Sequence, residues 1–439
     1  MAWSHTNRLF HKIIATATSF SLVFAPTLAN AQQAAPSIVI DNRTNPSAPA
    51  PSLDRTANGV QQLNIATPNG AGLSHNMFTQ YGVEQKGLIL NNATKATQTQ
   101  LGGYVYGNAN LHGKAAHVIL NEVTGTQASQ MLGYTEVAGQ KANVVIVNPN
   151  GITCNGCGFI NTDRVSLATG HPEIDATGKL AALTVSDGLI AFEGKGGDFT
   201  AVPVLDILSR RVTLAAKVNA QTARLVAGRS RFDYETGTVH ALKTDGSKTP
   251  EFAIDSSALG GMYAGQISML VTEAGAGVRV NGTMAANAGD MTLTADGRLV
   301  LNGSMAASGI VAIQAGAVQN AGTLHAGEDV RLTSAADITN TGEVAAEHGL
   351  NVTASTVTNA GTMVAAGQSG AVFGATGNIN NTGKIGANKG MLVLKATSIA
   401  NTGVLRAQTQ LTAIAQSIVN RQGQMTSGEG EVLLSAASV

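Results

Sequence analysis

The sequence predicts an all-β chain that folds as a right-handed parallel β-helix, or β-solenoid, with coils of about 20 residues. An Asn-x-Gly motif recurs in the C-terminal part, at Asn320, Asn340, Asn359, Asn381 and Asn401. The intervals are 20, 19, 22 and 20 residues, and a nearly fixed period is typical of repeat arrays. Short apolar runs such as Ala142 to Val147 have the length and β-branched content of strands. The right hand follows from the usual hand of connections between parallel strands.

The repeat copies, aligned on their asparagines, predict the core of the array. An apolar residue lies two positions before the asparagine, another lies four positions after it, and an alanine lies six positions after it. In one copy these are Ile338, Val344 and Ala346. We expect the Asn and Gly to form corners, where Gly tolerates positive φ and stacked asparagines form a ladder. Helical periodicity is scarce, and residues 203–211 (PVLDILSRR) are the one candidate for a short helix.

The composition argues against several classes of function. Apolar residues make up 44% of the chain and aromatic residues only 4%, so the core must be aliphatic. The 27 basic residues balance the 27 acidic ones. A neutral chain lacks the positive surface that binds nucleic acid, so we expect no nucleic-acid partner, and we also expect no cofactor.

The N-terminus has the features of an export signal. A basic start at Arg8 and Lys12 precedes an apolar stretch, and Ala29-Asn30-Ala31 is an A-x-A cleavage pattern. We predict a signal peptide over residues 1–31 that is cleaved near Ala31, followed by a loose segment over residues 32–58. No later stretch reaches 18 apolar residues, so the mature chain is not expected to span a membrane.

The densest local motif contains a turn and the chain's two cysteines. Asn148-Pro149-Asn150-Gly151 follows an apolar strand and has the residues of a tight turn, before Ile152. Cys154 and Cys157 lie just beyond. Two cysteines are too few for a four-thiolate zinc site, so no metal is expected. In an exported chain the default is a local disulfide, and a thioredoxin-like redox pair is the weaker alternative.

An enzyme is the rival class, since parallel β-helices also form polysaccharide-degrading enzymes. Such enzymes need carboxylates that converge on one face. Glu328, Asp329 and Glu343 fall at no recurring coil position, and Glu347-His348 lacks the spacing of a zinc-protease motif. We therefore expect no catalysis.

A set of motifs in fixed order carries a family resemblance. They are Gly87-Leu-Ile-Leu-Asn-Asn92, Leu101-Gly-Gly-Tyr104, Val118-Ile-Leu-Asn-Glu-Val-Thr124, the Asn148–Ile152 motif, the cysteine pair and Leu259-Gly-Gly-Met-Tyr-Ala-Gly265. In this order they resemble the N-terminal module of two-partner-secretion exoproteins: filamentous haemagglutinins, contact-dependent inhibition proteins and haemolysins. The resemblance suggests a secretion domain over residues 59–274 and haemagglutinin-type β-helical repeats over residues 275–439.

The resemblance implies a right-handed β-helix with an N-terminal cap. It also implies a partner, an outer-membrane β-barrel transporter whose POTRA domains recognise the module in the periplasm. The family's secretion motif maps onto Asn148, Pro149, Asn150 and Gly151, next to Ile152, and the family's cysteine pair maps onto Cys154 and Cys157. We expect Asn148 and Asn150 to matter for export and little for stability.

The final activity is left open between three fates. A filamentous-haemagglutinin-like adhesin, secreted or displayed at the cell surface, is favoured by the Asn-x-Gly array. The cysteine pair favours a growth-inhibition toxin or a haemolysin. Either would meet a host or neighbouring-cell surface. Family effector regions lie downstream of the module, and this array reaches Val439 with apolar residues, so we expect the chain to be the N-terminal part of a longer protein or to meet a partner there.

Overall fold

A computed structural model describes residues 37–41 and 50–438, so the predicted signal peptide lies outside the described residues. The chain is a parallel β-solenoid of about 15 turns with about 21 residues in each, which confirms the predicted fold class. Among the described residues the only helical element is a 3-10 turn at Ala109–Leu111. No helix of this part of the chain is long and apolar enough to cross a membrane.

The coils are built from three parallel strand layers, which we call the first, second and third faces; every described coil contributes to the first two, and all but the first and last coils contribute to the third. The first face consists of Gln61–Asn64, Leu88–Asn92, Tyr134–Gly139, Cys157–Ile160, Gly261–Ala264, Thr283–Ala286, Ser304–Ala307, Thr323–Ala326, Glu343–Ala346, Thr362–Ala365, Lys384–Ala387, Val404–Ala407 and Gln424–Ser427. The second face consists of Leu73–Gln80, Val118–Val123, Asn143–Val147, Arg164–Ala168, Gln266–Val271, Met291–Thr294, Val311–Ala315, Val330–Ser334, Gly349–Ala354, Gly370–Ala375, Leu392–Lys395, Leu411–Ile414 and Val432–Ser435. Two long strands, Gly197–Ser209 and Lys217–Ala227, contribute to both faces.

The third face follows the second along the chain. It consists of Ser129–Met131, Ile152–Cys154, Leu189–Phe192, Arg211–Leu214, Phe252–Ser256, Gly277–Val280, Arg298–Leu301, Ala317–Asn320, Asp337–Asn340, Thr356–Asn359, Asn378–Asn381, Ser398–Asn401 and Ser417–Asn420. The three inner surfaces meet in one hydrophobic core, in which Ile338, Val344 and Ala346 are each no more than 2% exposed. This core is mostly aliphatic, as expected, but it also contains buried aromatic rings, among them Phe159 and Phe373. Equivalent residues of successive coils stack in register, for example Ile338 on Val357, because the coil period matches the spacing of the core positions.

Asparagines at the corner between the third and first faces form a ladder. The Nδ2 atom of Asn320 donates to Oδ1 of Asn340 at 2.7 Å, and Asn340 donates to Asn359 in the same way at 2.7 Å. The ladder continues through Asn381 and Asn401 to Asn420. These side chains are buried up to Asn401, so the ladder satisfies polar groups that water does not reach.

The glycines of the same corners have a different role from the predicted one. Gly322, Gly342 and Gly361 do not have positive φ. Instead they stack, and a Cβ atom on Gly342 would lie 2.1 Å from the carbonyl oxygen of Gly322. Glycine is required here because the backbones of successive coils approach closely, and not because of its φ freedom.

The predicted short helix at 203–211 is wrong. Residues 203–209 belong to the strand Gly197–Ser209, in which Leu205 pairs in parallel with Val165, and Arg211 begins the next strand, Arg211–Leu214. Leu205 and Ile207 point into the main core, whereas Leu208 belongs to a second core on the outside of the sheet. A strand buried on both sides has apolar residues in succession, and that pattern resembles a buried helical segment.

Two short strands end the parallel stack at its N-terminal side. Val39–Ile40 pairs antiparallel with Leu73–Gln80, and Ser52–Arg55 pairs antiparallel with Gln61–Asn64. They cap the second and first faces, so these parts of the segment expected to be loose are ordered by backbone pairing. Residues 42–49 lie outside the described residues.

A four-stranded antiparallel side sheet lies on the outer surface of the second face. Its strands are Gly170–Ile174, Leu180–Val185, Ser230–Asp233 and Val239–Ala241. Leu183 and Phe232 pack on Val145 and Leu208 in the second core. Beside it, Nε of Arg164 donates to the fully buried carboxylate of Asp206 at 2.7 Å, and the Arg164 guanidinium lies 4.3 Å from the centre of the Tyr234 ring.

Candidate functional site

The Asn148 motif forms the corner between the second and third faces of one coil. It connects Asn143–Val147 to Ile152–Cys154. The amide of Gly151 donates to the carbonyl of Asn148 at 3.1 Å and so closes a tight turn. Pro149 presets the backbone for such a turn, and Gly151 has a φ of 116°, which a residue with a side chain rarely adopts.

The side chain of Asn148 is buried and uses its full bonding capacity. Its Nδ2 atom donates to the carbonyl of Gln127 and to Oγ of Ser129, both at 2.9 Å. Its Oδ1 atom accepts from the backbone amide and from Nδ2 of Asn150, also at 2.9 Å. An amide with two donors and two occupied lone pairs has no group left for a partner. Asn148 therefore fixes this corner onto the preceding coil.

The outer part of the corner belongs to Pro149 and Asn150. Asn150 is exposed and Pro149 is half-buried, whereas Gly151 and Ile152 are buried. Nδ2 of Asn150 donates to the carbonyl of Gly125 at 2.8 Å, which holds its side chain against the preceding coil. A protein that recognises this motif in the folded state can therefore contact Pro149 and Asn150 but not the Asn148 side chain. The four hydrogen bonds of the Asn148 side chain also indicate that it stabilises this corner, contrary to the expectation that it contributes little to stability.

The next corner of the same coil contains the cysteines. Cys154 ends a third-face strand, Cys157 begins a first-face strand, and a disulfide joins them with a Cα–Cα distance of 5.3 Å. Both residues are buried, and Gly156 between them has a φ of 94°. The aromatic rings of Phe192 and Phe199 lie next to this corner. The disulfide therefore lies at the corner between the third and first faces, which is the corner that the asparagine ladder occupies in the repeat array.

A partly buried hydrogen bond lies beside the strand that begins at Cys157. The hydroxyl of Tyr134 donates to the carboxylate of Asp198 at 2.8 Å. Burial, together with this bond to a carboxylate, raises the pKa of Tyr134 to about 12. Within the described residues no group of three or more His, Cys, Asp or Glu side chains is placed to hold a metal ion.

Sequence reasoning found the motif but missed the partners of Asn148. Gln127 and Ser129 precede it by 21 and 19 residues. These separations equal one coil of the array, so the repeat period was the signal that could have found them. No such signal in the sequence indicated the role of Glu136. Its buried carboxylate accepts from two backbone amides of the 97–105 hairpin.

Comparisons with known proteins match the N-terminal part of the solenoid. The family model of the TPS secretion domain matches residues 37–301, which extends past both predicted domain limits of 59 and 274. The 16S rRNA endonuclease CdiA of Enterobacter cloacae subsp. cloacae is 46% identical over 280 residues, which cover 63% of this chain and 8% of that protein. The tRNA nuclease CdiA of Escherichia coli strain NC101 is 49% identical over 262 residues, covering 59% and 8% of the two chains.

A solved structure shows the same architecture. The crystal structure of the filamentous hemagglutinin secretion domain is 28% identical, with a TM-score of 0.55, and the match covers 69% of this chain and 97% of that one. The present chain spans about 8% of the length of the CdiA relatives.

Proposed function

The chain belongs to the family of two-partner-secretion exoproteins, and from that premise we propose that its first coils are the surface by which its transporter selects it. Proteins of this family are secreted or displayed at the cell surface, and membership implies a cognate transporter in the outer membrane. The proposal adds that the POTRA domains of this transporter bind the module in the periplasm, after a signal peptide has been removed near Ala31.

The proposal rests on the different burial and bonding of the residues in the Asn148 corner. Asn148 is internal and rigidly bonded, whereas Asn150 and Pro149 lie at the surface of the same turn. A fixed turn whose outer residues are accessible is suited to recognition, because no ordering cost is incurred on binding. We assign the folding role to Asn148 and the contact role to Pro149 and Asn150.

The test compares Asn150→Ala with Asn148→Ala, with transporter co-expressed and protein measured in medium and periplasm. Asn378→Ala, at an exposed position of the third face, is the matched control. We expect Asn150→Ala to reduce export with only a small fall in the thermal unfolding midpoint, because its side chain makes two hydrogen bonds at an exposed position, and Asn148→Ala to lower export and the midpoint strongly. Normal export of a stable Asn150→Ala protein would show that the exposed part of the turn is not a recognition surface.

We propose that this part of the exoprotein catalyses no reaction. The nuclease activities in the relatives' names belong to proteins of which the chain matches about 8%. The polysaccharide-degrading alternative requires converging carboxylates. Acidic side chains of the array, such as Asp329 beside Arg331 and Glu347 beside His325, are instead distributed on the surface in separate pairs.

For the complete exoprotein we propose an adhesin of the filamentous-haemagglutinin kind, in which the solenoid extends from the cell and presents binding regions to a host or neighbouring cell. A growth-inhibition toxin is the second candidate, favoured by relatives named CdiA that are 46% and 49% identical to this chain. A haemolysin is the remaining alternative. Two assays separate them. In mixed culture of a producing strain with an unprotected target strain, attachment without growth arrest supports the adhesin and arrest supports the toxin. In a separate incubation of the producing strain with erythrocytes, lysis supports the haemolysin.

A further inference from the structure

A groove of about 540 Å³ opens between the N-terminal cap and a small hairpin that projects from the first coils. We call the projecting hairpin the tyrosine hairpin; its strands are Thr97–Thr99 and Gly103–Val105. The volume is within the usual range for sites that bind small ligands. The groove is far along the chain from the repeat array, and none of its lining residues belongs to the Asn148 corner, to which we assign transporter contact.

Two tyrosines line the groove and are mostly exposed, Tyr104 in the second strand of the hairpin and Tyr106 directly after that strand. Tyr104 is 65% exposed and Tyr106 is 81% exposed. Val105 between them points the other way and is buried in a cluster with Val60 and Ile89, because side chains alternate along a strand. The two rings therefore lie on one side, about 7 Å apart along the backbone. Exposed aromatic rings in a groove are typical of binding sites.

The hairpin is held rigidly, so the rings have a fixed position. The buried carboxylate of Glu136 accepts from the amides of Gln100 and Leu101, both at 2.8 Å. Nδ2 of Asn58 donates to the carbonyl of Leu101 at 2.7 Å. A buried carboxylate that satisfies the turn of an exposed hairpin is an expensive structural feature. Such a buried carboxylate is expected where the outer face of the hairpin must be held in one geometry.

The opposite wall is connected to the hairpin through buried amides. Nδ2 of Asn91 donates both to the carbonyl of Tyr106 at 3.0 Å and to Oδ1 of Asn64 at 2.8 Å. Asn64 in turn accepts from Nε2 of Gln62 at 2.8 Å. Both walls of the groove therefore belong to one hydrogen-bonded unit and are preorganised relative to each other.

The groove contains side-chain oxygens that are free to accept hydrogen bonds from a ligand. Within the described part of the chain, Oε1 of Gln62 and Oδ1 of Asn110 accept no hydrogen bond, while the amide nitrogens of both residues are occupied. Asp54 adds a carboxylate. The one cationic side chain, Arg55, pairs with Glu84 at 2.8 Å. Such a lining favours a ligand rich in hydroxyl donors and disfavours phosphate, sulfate and other anions.

We propose that this groove binds a neutral oligosaccharide, with Tyr104 and Tyr106 packed on the apolar faces of neighbouring sugar rings and with hydroxyls bonded to Gln62, Asn110 and Asp54. Tyrosine offers a large apolar face with a polar tip, and pyranose rings have the same combination of C–H faces and hydroxyl edges. A chain exported to the cell surface meets such polymers, so the site would attach the N-terminal end of the solenoid to a glycan.

Calorimetric titration of the purified chain with chitohexaose, cellohexaose and maltohexaose tests the inference, with a sulfated heparin hexasaccharide as the anionic probe. We expect at least one neutral hexasaccharide to bind and the heparin probe not to bind. The double variant Tyr104→Ala/Tyr106→Ala is expected to weaken binding roughly ten- to hundredfold. The Tyr104→Phe/Tyr106→Phe variant keeps the rings and is expected to lose only a few-fold. Leu259→Ala, at a residue 85% exposed elsewhere on the solenoid, is the control.

Three outcomes would overturn the inference: no binding of any neutral probe, equal binding by the Ala double variant, or preference for the sulfated probe. Both rings are exposed, so the variants are expected to fold, and an unchanged circular dichroism spectrum and unfolding midpoint check this. The same variants are measured for export. Loss of export by the Ala double variant, together with no glycan binding by wild type, would assign the groove to the transporter and leave the family membership intact.

Discussion

Cys154 and Asn320 occupy the same column of the third face, although 166 positions separate them in the numbering. The parallel register connects them through a continuous stack of buried residues: Phe192, Leu214, Ser256, Val280 and Leu301. Along this one column the corner is stabilised first by a covalent bond, then by apolar packing and by Ser256, whose hydroxyl accepts from the amides of Asn281 and Gly282, and finally by the asparagine ladder. The solenoid therefore keeps one backbone geometry while the chemistry of its corner changes from the secretion module to the array.

The ladder predicts the effect of removing one of its members. Asn359→Ala removes the donor to Oδ1 of Asn381, which leaves that buried oxygen unpaired. It also removes one of the three acceptors of Nδ2 of Asn340, which keeps the carbonyls of Gly342 and Thr362. Each buried group left unpaired costs about 1–3 kcal/mol. We expect a clear fall in the urea midpoint and faster amide exchange in the two adjacent coils. Asn378→Ala, whose side chain is exposed, should leave both unchanged; equal effects of the two variants would contradict a role of the ladder.

The corner glycines predict a steric effect with a matched control. Gly342→Ala would place its Cβ 2.1 Å from the carbonyl oxygen of Gly322, so the backbone of a coil must shift. Overpacking of this kind costs about 1–3 kcal/mol. Gly374→Ala adds the same methyl group where the nearest atom is 4.0 Å away, and we expect no loss of stability. Equal unfolding midpoints for the two variants would show that close stacking does not select glycine at the corner.

These residues also show which parts of the fold were predictable. The array was predictable because each core position, such as Ile338, recurs once per coil and stacks on its copy. The side sheet was not, because it joins hairpins about 50 residues apart and its core residues, such as Phe232, share no period with the coils. In the candidate site, the turn was visible in the sequence, but the burial of Asn148 became visible only when its partners in the preceding coil were placed.

The disulfide between Cys154 and Cys157 predicts a small effect on stability and no free thiols. Labelling of the secreted, denatured protein with a maleimide should modify neither cysteine before reduction and both after it. Because the ring spans only four residues, Cys154→Ala/Cys157→Ala should cost about 2 kcal/mol by the loop-entropy relation. A disulfide ring this short does not block passage of the chain through a narrow pore. We therefore expect export both with and without the disulfide. Two labelled thiols without reduction would refute the pairing.

Buried tyrosines predict a loss of stability at alkaline pH. Burial raises the pKa of Tyr234 to about 12, and burial also raises the pKa of Tyr81. The unfolded pKa is about 10, so above that pH the unfolded state loses protons that the folded state keeps. This contribution to stability is therefore complete below about pH 10 and falls as the pH rises towards the folded values.

Tyr81→Phe separates this effect from ordinary packing. The Tyr81 hydroxyl is buried with no hydrogen-bond partner among the described residues, so its removal should leave stability at pH 7 unchanged or slightly higher. It should also reduce the loss between about pH 10 and 12 in urea unfolding. Tyr134→Phe removes the bond to Asp198 and should instead cost about 1 kcal/mol at pH 7. An alkaline slope identical to wild type in Tyr81→Phe would contradict the assignment.

The column of Ile338, Ile379 and Ile399 provides a test of what drives export. We propose that each coil folds on the preceding one as it leaves the cell, and that this folding draws the chain outward without another energy source. Contacts between coils connect residues about 20 positions apart, so contact order is low and folding can propagate from the secretion module. A few buried aliphatic side chains per coil contribute several kcal/mol, about 1.5–3 each, before chain entropy is subtracted.

The triple variant Ile338→Asp/Ile379→Asp/Ile399→Asp buries three unpaired carboxylates in one column, where each isoleucine is no more than 1% exposed. The matched control, Thr339→Asp/Asn380→Asp/Ala400→Asp, places the same charges one residue later, on the outer surface of the same strands. We expect the first variant to stall, with the secretion module outside the cell and the array sensitive to protease, and the control to be exported. If the buried variant leaves the cell at the wild-type rate, then preventing the coils from stacking has not slowed export. Stacking of the array would in that case not drive translocation.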